Sequence, residues 1–234
     1  MPEHPNRERA VRILDSAGAL LLRMGYRKVA IDDIARAVGI GKGTVYLHWR
    51  NKEVLFQALL MRESADLTEE LLNRMRTDPA EILPHRMIPT SYLMTCRRPL
   101  TMALLTGNAE LFGSIGDSAL RHQQWSISED FEKLMRKRGL VRTDVPNLTF
   151  ALRASTLGFY LIDSFAGDLH AGLDADRRAA VLAHTIRAAF EPPGKPNPAT
   201  VATTAAELTS TLDQLVSSYR KRIYMRDPTD TFGS

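Results

Sequence analysis

A short stretch between residues 42 and 52 contains the side chains that are best suited to binding a charged or hydrogen-bonding partner. On a helix that turns by roughly 100° per residue, Val45 and Trp49 share one side and can pack inward. The opposite side and the flanks carry hydrogen-bonding groups, namely Lys42, Thr44, Tyr46, His48 and, just beyond, Lys52. Such a face suits the edge of a nucleic-acid groove and the phosphates beside it.

The residues just before this stretch must position it. Ile31, Ile34, Ala35 and Val38 recur at the spacing of one helix face. Gly39 follows, and a glycine after the last turn readily adopts the left-handed conformation that ends a helix. Two short helices joined by a glycine-rich turn form a helix-turn-helix. The pattern therefore predicts a DNA-reading element.

The stretch DDIARAVGIGKGTVYLHWRNKEVL closely resembles the DNA-binding signature of the TetR family of transcriptional regulators. That signature is a D-x-I-A-x-x-x-G helix, a short turn, and a second helix with a T-x-Y-x-aromatic-aromatic pattern. The similarity covers about the first 60 residues. One position departs from it: Ala30 stands where the family usually has a Thr or Ser that caps the helix and contacts a phosphate.

The resemblance implies which residues contact DNA. Tyr46, His48 and Lys52 would contact mainly phosphates, and hydrogen bonds to bases would fall to Lys42 and Thr44. Gly43 and Leu47 have no polar side chain and would offer close approach or contacts to thymine methyl groups. The predicted DNA-binding residues are Arg36, Lys42, Gly43, Thr44, Tyr46, Leu47, His48 and Lys52.

The charge distribution agrees with this location. Residues 1–52 hold 10 lysines and arginines against 5 acidic residues, whereas the remainder holds 21 against 22. The basic excess therefore lies where phosphates would be neutralised. A single cysteine, Cys96, excludes an intramolecular disulfide and fits a reducing cytoplasm. With no apolar run long enough to span a bilayer, we expect a cytoplasmic protein without a membrane partner.

Helical periodicity continues along the whole chain, so the predicted fold class is all-α. We expect a DNA-binding domain over residues 1–52, a linking helix over 52–75, and a ligand-binding and dimerisation domain over 53–234. Residues 80–106 are expected to form one or two helices interrupted by Pro84, Pro89 and Pro99, and the segment should be irregular and open because prolines at this density break or kink helices. Residues 107–116 are predicted to be a loop, and helices are expected over 118–138, 146–165 and 174–190.

The second domain contains adaptable methionine and aromatic side chains that could line an apolar ligand pocket. The alternative is that these residues are ordinary core. The candidate pocket residues are Met87, Tyr92, Met94, Met102, Leu105, Phe112, Trp125 and Phe159.

Two further helices resemble the pair with which family members dimerise in a four-helix bundle. The candidate dimerisation residues are Ala151, Ser155, Gly158, Ile162, Leu182, Ile186 and Ala189. After a linker over residues 191–198, an additional helix over 199–225 repeats apolar residues at alternating spacings of 4 and 3. This stripe must be buried against its own domain or against the partner subunit, and we favour an additional dimer contact.

The sequence shows no pattern typical of an enzyme. The six histidines form no H-x-x-x-H or H-E-x-x-H motif, and no G-x-S-x-G elbow occurs, so neither a metal nor a cofactor is predicted. The expected function is that of a homodimeric regulator, more specifically a repressor, which a small, mainly hydrophobic effector releases from a palindromic operator in double-stranded DNA. The alternatives are a DNA-binding or architectural protein without ligand control, and a helical ligand-binding protein or enzyme.

Overall fold

The computed structural model describes residues 4–106, 108–112, 129–166 and 172–224 of the 234-residue chain. Helices make up the regular structure throughout these ranges, which confirms the predicted all-α class. The helices are α1 (His4–Lys28), α2 (Ile31–Val38), α3 (Lys42–Tyr46), α4 (Lys52–Thr77), a 3₁₀ turn (Pro79–Ile82), α5 (Pro84–Cys96), α6 (Pro99–Leu105), α7 (Ala109–Phe112), α8 (129–137), α9 (Leu148–Ala166), α10 (Ala175–Phe190) and α11 (Pro198–Tyr224).

Side chains fix several of the helix ends. The Asp174 carboxylate accepts a hydrogen bond from the Arg177 amide at 2.8 Å and so caps α10. Asn51 caps α4 in the same way, since its side-chain oxygen lies 2.8 Å from the Val54 nitrogen. At the end of α1, Gly25 has a φ of 75° and interrupts the helix, which continues for one more turn. The regular part of α1 therefore ends just before Gly25.

Two local predictions are wrong. Pro89 lies inside α5 without ending it, and it is buried. Packing of α5 along α10 stabilises the helix despite the missing amide donor of the proline. The predicted loop after residue 106 contains α7, because the Asn108 side chain accepts a hydrogen bond from the Leu111 amide at 2.9 Å and starts a helical turn.

The described residues divide into two compact units. The first unit contains residues 4–66, 99–106, 108–112 and 216–224, and thus more than the first three helices. In it α1 packs against α2, α6 and α7. Its core includes fully buried residues of four helices, namely Ile13, Leu14, Leu21, Ile34, Val45, Leu55, Phe56 and Leu59.

The second unit contains residues 67–98, 129–166 and 172–215. Here α10 packs against α5 and α9, with Leu182 and Ile186 fully buried. At the end of α10 the Glu191 carboxylate is buried and lies 2.9 Å from the Nδ1 atom of His85. The Arg187 guanidinium donates to the same carboxylate at 2.6 Å. This buried carboxylate joins the start of α5 to the end of α10.

The apolar stripe of α11 is buried within its own chain. Its buried members are Val201, Ala205, Leu208, Leu212, Val216, Tyr219 and Ile223. Ion pairs support both halves of the helix: Arg138 contacts Glu207 at 2.6 Å in the second unit, and Arg220 contacts Asp66 at 2.6 Å in the first. The expectation that this stripe adds a dimer contact is therefore wrong, because the side chains already pack inside the subunit.

Candidate nucleic-acid interface

The turn between α2 and α3 has the geometry that its glycine predicts. Gly39 has φ 72° and ψ 36°, in the left-handed region. Its amide reaches the Arg36 carbonyl at 3.2 Å, and the Ile40 amide reaches the Ala35 carbonyl at 3.0 Å. These two bonds satisfy carbonyl groups that the end of α2 would otherwise leave unpaired. The turn thus directs the chain from α2 into α3.

Helix α3 is shorter than predicted and covers Lys42–Tyr46 rather than Lys42–Trp49. Turn hydrogen bonds continue it, since the Trp49 amide lies 3.1 Å from the Val45 carbonyl. Val45 and Trp49 are buried, as the sequence predicts. The buried side of α3 is therefore the predicted one.

The remaining side chains of this stretch lie at or near the surface. Lys42, Gly43, Tyr46 and Leu47 are exposed, and Thr44 and His48 are half-buried. The His48 ring packs near the Trp49 ring, with 5.3 Å between the centroids. We call Lys42, Gly43, Thr44, Tyr46 and Leu47 the reading face. It combines the hydrogen-bonding side chains of Lys42, Thr44 and Tyr46 with Gly43, which has no side chain and leaves the backbone open to close approach.

Both cations of α2 and α3 are paired with aspartates in the first turn of α2. The Lys42 Nζ atom lies 3.0 Å from the Asp32 carboxylate, and the hydrogen bond from this carboxylate raises the pKa of Lys42. The Arg36 guanidinium lies 3.3 Å from the Asp33 carboxylate. If Lys42 or Arg36 contacts DNA, its ion pair with the aspartate must therefore be replaced by the contact with DNA.

Asp33 also accepts a hydrogen bond from the Ala30 amide at 3.0 Å. It thereby supplies one half of a capping box, and the other half is missing because Ala30 has no side-chain oxygen. The start of α2 is held without the hydroxyl group that the family usually places there.

The Lys52 side chain is bound by Tyr26 instead of extending freely into solvent. Its ammonium donates to the Tyr26 carbonyl at 2.5 Å and lies 4.3 Å from the centre of the Tyr26 ring. Partial burial lowers the pKa of Lys52. The Tyr26 ring in turn packs edge-on against Phe56, with 5.3 Å between the ring centres. Lys52 therefore joins the end of α1 to the start of α4, a role that the sequence did not indicate.

One protein-family model matches this part of the chain. The family is described as bacterial regulatory proteins, tetR family, and the match covers residues 13–59. Residues 13–59 are therefore a DNA-binding domain of the TetR type.

Relatives agree with this assignment over limited parts of the chain. YvkB of Bacillus subtilis (strain 168), an uncharacterized HTH-type transcriptional regulator, is 36% identical over 55 residues, which are 24% of this chain and 29% of YvkB. The nucleoid occlusion factor SlmA of Glaesserella parasuis serovar 5 (strain SH0165) is 26% identical over 113 residues, 48% of this chain. The chain spans 56% of the length of that SlmA protein, little more than half.

A crystal structure assigned to the tetR family of transcription regulators, from Shewanella sp. PV-4, has a similar fold. It superimposes with a TM-score of 0.54 at 16% identity and covers 79% of this chain and 98% of its own. The similarity therefore extends the TetR-like fold beyond the helix-turn-helix.

The predicted pocket residues are distributed over both units. In the second unit, Tyr92 and Met94 are buried, while Met87 and Phe159 are half-buried. In the first unit, Phe112 is buried, Met102 is half-buried and Leu105 is exposed. Trp125 lies outside the described residues.

An aromatic cluster in the second unit brings together two of the predicted residues and one that was missed. The ring of Tyr92 lies 6.4 Å from that of Phe159 and 5.1 Å from that of Tyr160. Burial raises the pKa of both tyrosines, and hydrogen bonds link Tyr92 to Cys96 and Arg178. Periodicity alone could not reveal this cluster, because it joins α5, α9 and α10.

An open cleft of about 760 Å³ lies elsewhere in the second unit, and none of the predicted pocket residues lines it. It is bordered by residues 139–144 and by the end of α10, including Arg142, Arg187 and Glu191. Its charged groups already pair within the protein, since Arg142 contacts Asp144 at 2.7 Å.

For two of the predicted dimerisation residues the prediction is wrong. Leu182 and Ile186 are fully buried in the single chain, because this side of α10 packs against α5. Ala151, Ser155 and Ala189 are half-buried, whereas Gly158 and Ile162 are exposed. Phe150 and Val181, two apolar residues of the same helices, expose 74% and 49% of their surface.

Among the described residues no group of three or more histidine, cysteine or acidic side chains could hold a metal ion. None of the helices in the described ranges has the length and apolar character needed to cross a membrane.

Proposed function

We propose that this TetR-family protein is a sequence-specific DNA-binding transcriptional regulator. The observation that carries the proposal is the reading face of α3, which presents exposed hydrogen-bonding groups over a buried Val45 and Trp49. The capped turn after α2 and the buried Val45 and Trp49 support this face from beneath, and base recognition requires side chains that are held in place. Thr44 is the central hydrogen-bonding side chain of the face.

Selection of bound fragments from random duplex DNA, followed by affinity measurements at several salt concentrations, tests the proposal. We expect a palindromic sequence and a steep loss of affinity with rising salt. Thr44→Val should weaken binding to the selected sequence while preserving the shape of the side chain. Thr203→Val, on the exposed side of α11, is the matched control and should bind as wild type. Recovery of random fragments alone would refute sequence-specific binding.

We propose further that the protein binds DNA as a homodimer through α9 and α10. Phe150, Ala154, Gly158 and Ile162 are exposed and follow one another every four residues along α9. On α10, Val181 is exposed and points to a different side of the helix from the buried Leu182. Apolar faces of this kind on a bundle fold pair with a second copy. A two-fold dimer would place its reading helices about 34–36 Å apart, one turn of DNA.

Sedimentation of the purified protein tests the dimer. Phe150→Ser should shift the protein toward the monomer, since it removes the most exposed large apolar side chain of α9. Leu22→Ser, at an exposed apolar position of α1, is the control and should leave the dimer intact. Equal dimer dissociation constants for both variants and wild type would exclude α9 from the interface.

The effector is the third part of the proposal. The aromatic cluster of Tyr92, Phe159 and Tyr160 supports a mainly hydrophobic small molecule that binds in the second unit and shifts the population away from the DNA-binding form. Titration of apolar compounds against a preformed protein–DNA complex tests it. Release by one compound supports repression relieved by a ligand. Retention of DNA throughout favours the alternative, a DNA-binding protein without ligand control, to which the similarity with a nucleoid occlusion factor also points.

A further inference from the structure

The reading segment carries no net charge. Between Ile31 and Tyr46 there are two aspartates, one arginine and one lysine, although residues 1–52 as a whole are strongly basic. The excess positive charge therefore lies on the flanks, including Arg27, Lys28 and Arg50. Attraction to phosphates of any sequence would come from these flanks, while the segment that meets the bases is balanced.

The two aspartates of this segment have different environments. Asp33 accepts the Ala30 amide and pairs with Arg36, so it belongs to the structure of α2. Asp32 reaches across the turn to Lys42, ten positions later in the chain, at 3.0 Å. The side chains of Asp32 and Lys42 remain 53% and 49% exposed. This pair is consequently accessible to DNA and is not needed to cap a helix.

We propose that Asp32 is a positioning residue that sets DNA specificity by holding the Lys42 ammonium at the start of α3. The inference rests on the proposed function, because it concerns the same reading face. Asp32 touches no base in this scheme and acts through Lys42.

The physical basis is competition for one ammonium group. A lysine is a point charge on a flexible stem, and without a partner it can reach a phosphate on either side of a groove. Such a contact strengthens binding to every sequence equally. Paired with Asp32, Lys42 has fewer conformations and its charge is compensated. An exposed ion pair is weak enough to be exchanged. A well-placed acceptor such as guanine O6 or N7 can therefore take over the ammonium, whereas a diffuse phosphate attraction gains less.

The test is a double-mutant cycle on the 234-residue chain with Asp32→Asn, Lys42→Met and the double variant. Affinities are measured for the selected DNA and for a random duplex between 50 and about 200 mM salt, a range over which phosphate contacts are well resolved. Asp32→Asn should bind the random duplex severalfold more tightly, and its salt slope should steepen by about 0.9, the value for one additional phosphate. The ratio of specific to random affinity should fall. In the Lys42→Met background the same substitution should change nothing.

Two further variants separate positioning from general electrostatics. Asp32→Glu keeps a carboxylate within reach of Lys42 and should restore wild-type specificity. Asp15→Asn removes an exposed carboxylate that pairs with Arg62 at 2.7 Å rather than with a residue of the reading face, and should leave the salt slope unchanged. Thermal denaturation checks that each variant is folded.

Two results would overturn the inference. One is an unchanged random-duplex affinity and salt slope in Asp32→Asn. The other is an equal rise in the Lys42→Met background, which would mean that Asp32 acts by its charge alone. In both cases wild type still selects a sequence. Failure of wild type to select any sequence is a different outcome and refutes the proposed function itself.

Discussion

Gly43 offers a clean separation of stability from DNA binding. A Cβ atom built at this position meets no other atom within 4 Å, so the fold leaves room for a side chain. Gly43 also lies within α3, where glycine is less favourable than alanine by about 0.5–1 kcal/mol. The free protein would therefore be more stable with alanine. A close approach to DNA is the feature of the proposed function that explains glycine here.

We expect Gly43→Ala to raise the free energy of unfolding by about 0.5 kcal/mol, the lower end of this range, because α3 is short. Affinity for the selected DNA should fall by about 1–3 kcal/mol, the cost of one impaired contact in a specific site. Urea denaturation gives the first quantity, and fluorescence anisotropy with labelled duplex gives the second. The one substitution is thus expected to raise the stability of the protein and to lower its affinity for DNA.

Gly39→Ala is the matched control. A Cβ at Gly39 also meets nothing within 4 Å, but the residue has a φ of +72°. The same substitution should here lower stability by about 1–2 kcal/mol, the cost of an L-residue in the left-handed region. Undiminished DNA affinity of a stabilised Gly43→Ala protein would refute the close approach of α3 to the groove. A destabilised Gly43→Ala protein would contradict the free space at this position.

Three further predictions concern packing and assembly. Lys52→Met should lower stability by about 1 kcal/mol in chemical denaturation, because it removes the ammonium from the Tyr26 ring and carbonyl while keeping the apolar stem. Leu182→Ala should lower stability by about 2–5 kcal/mol, the cost of a cavity at a fully buried leucine, rather than weaken the dimer specifically. Gly158→Ala should stabilise the monomer by up to about 1 kcal/mol, since its Cβ would meet nothing within 4 Å, and should weaken dimerisation measured by sedimentation.

Each of these has an outcome that contradicts it. A Lys52→Met protein of wild-type stability would mean that the contacts of the Lys52 ammonium with Tyr26 contribute nothing to the stability of the fold. A Leu182→Ala protein that is fully stable but monomeric would restore Leu182 to the dimer interface. An unchanged dimer in Gly158→Ala would show that α9 does not approach its partner closely at this point.

Local patterns in the sequence were sufficient for the helix-turn-helix. The spacing of Ile31, Ile34 and Ala35 predicts the buried side of α2, and Gly39 predicts the turn. Val45 and Trp49 are buried as expected. These features depend on hydrogen bonds and contacts between residues a few positions apart, so the sequence contains all the information that they require.

Only the tertiary structure decided which partner each apolar stripe has. On α10 the sequence offers Leu182 and Ile186 on one side and Val181 on another, and periodicity cannot tell which side faces the subunit core. Packing against α5 buries the first set, and a similar choice buries the stripe of α11 within the chain. Contacts between distant residues, such as Lys52 with Tyr26, were hidden for the same reason. A helix pattern states that a face must be covered, and only the fold supplies the surface that covers it.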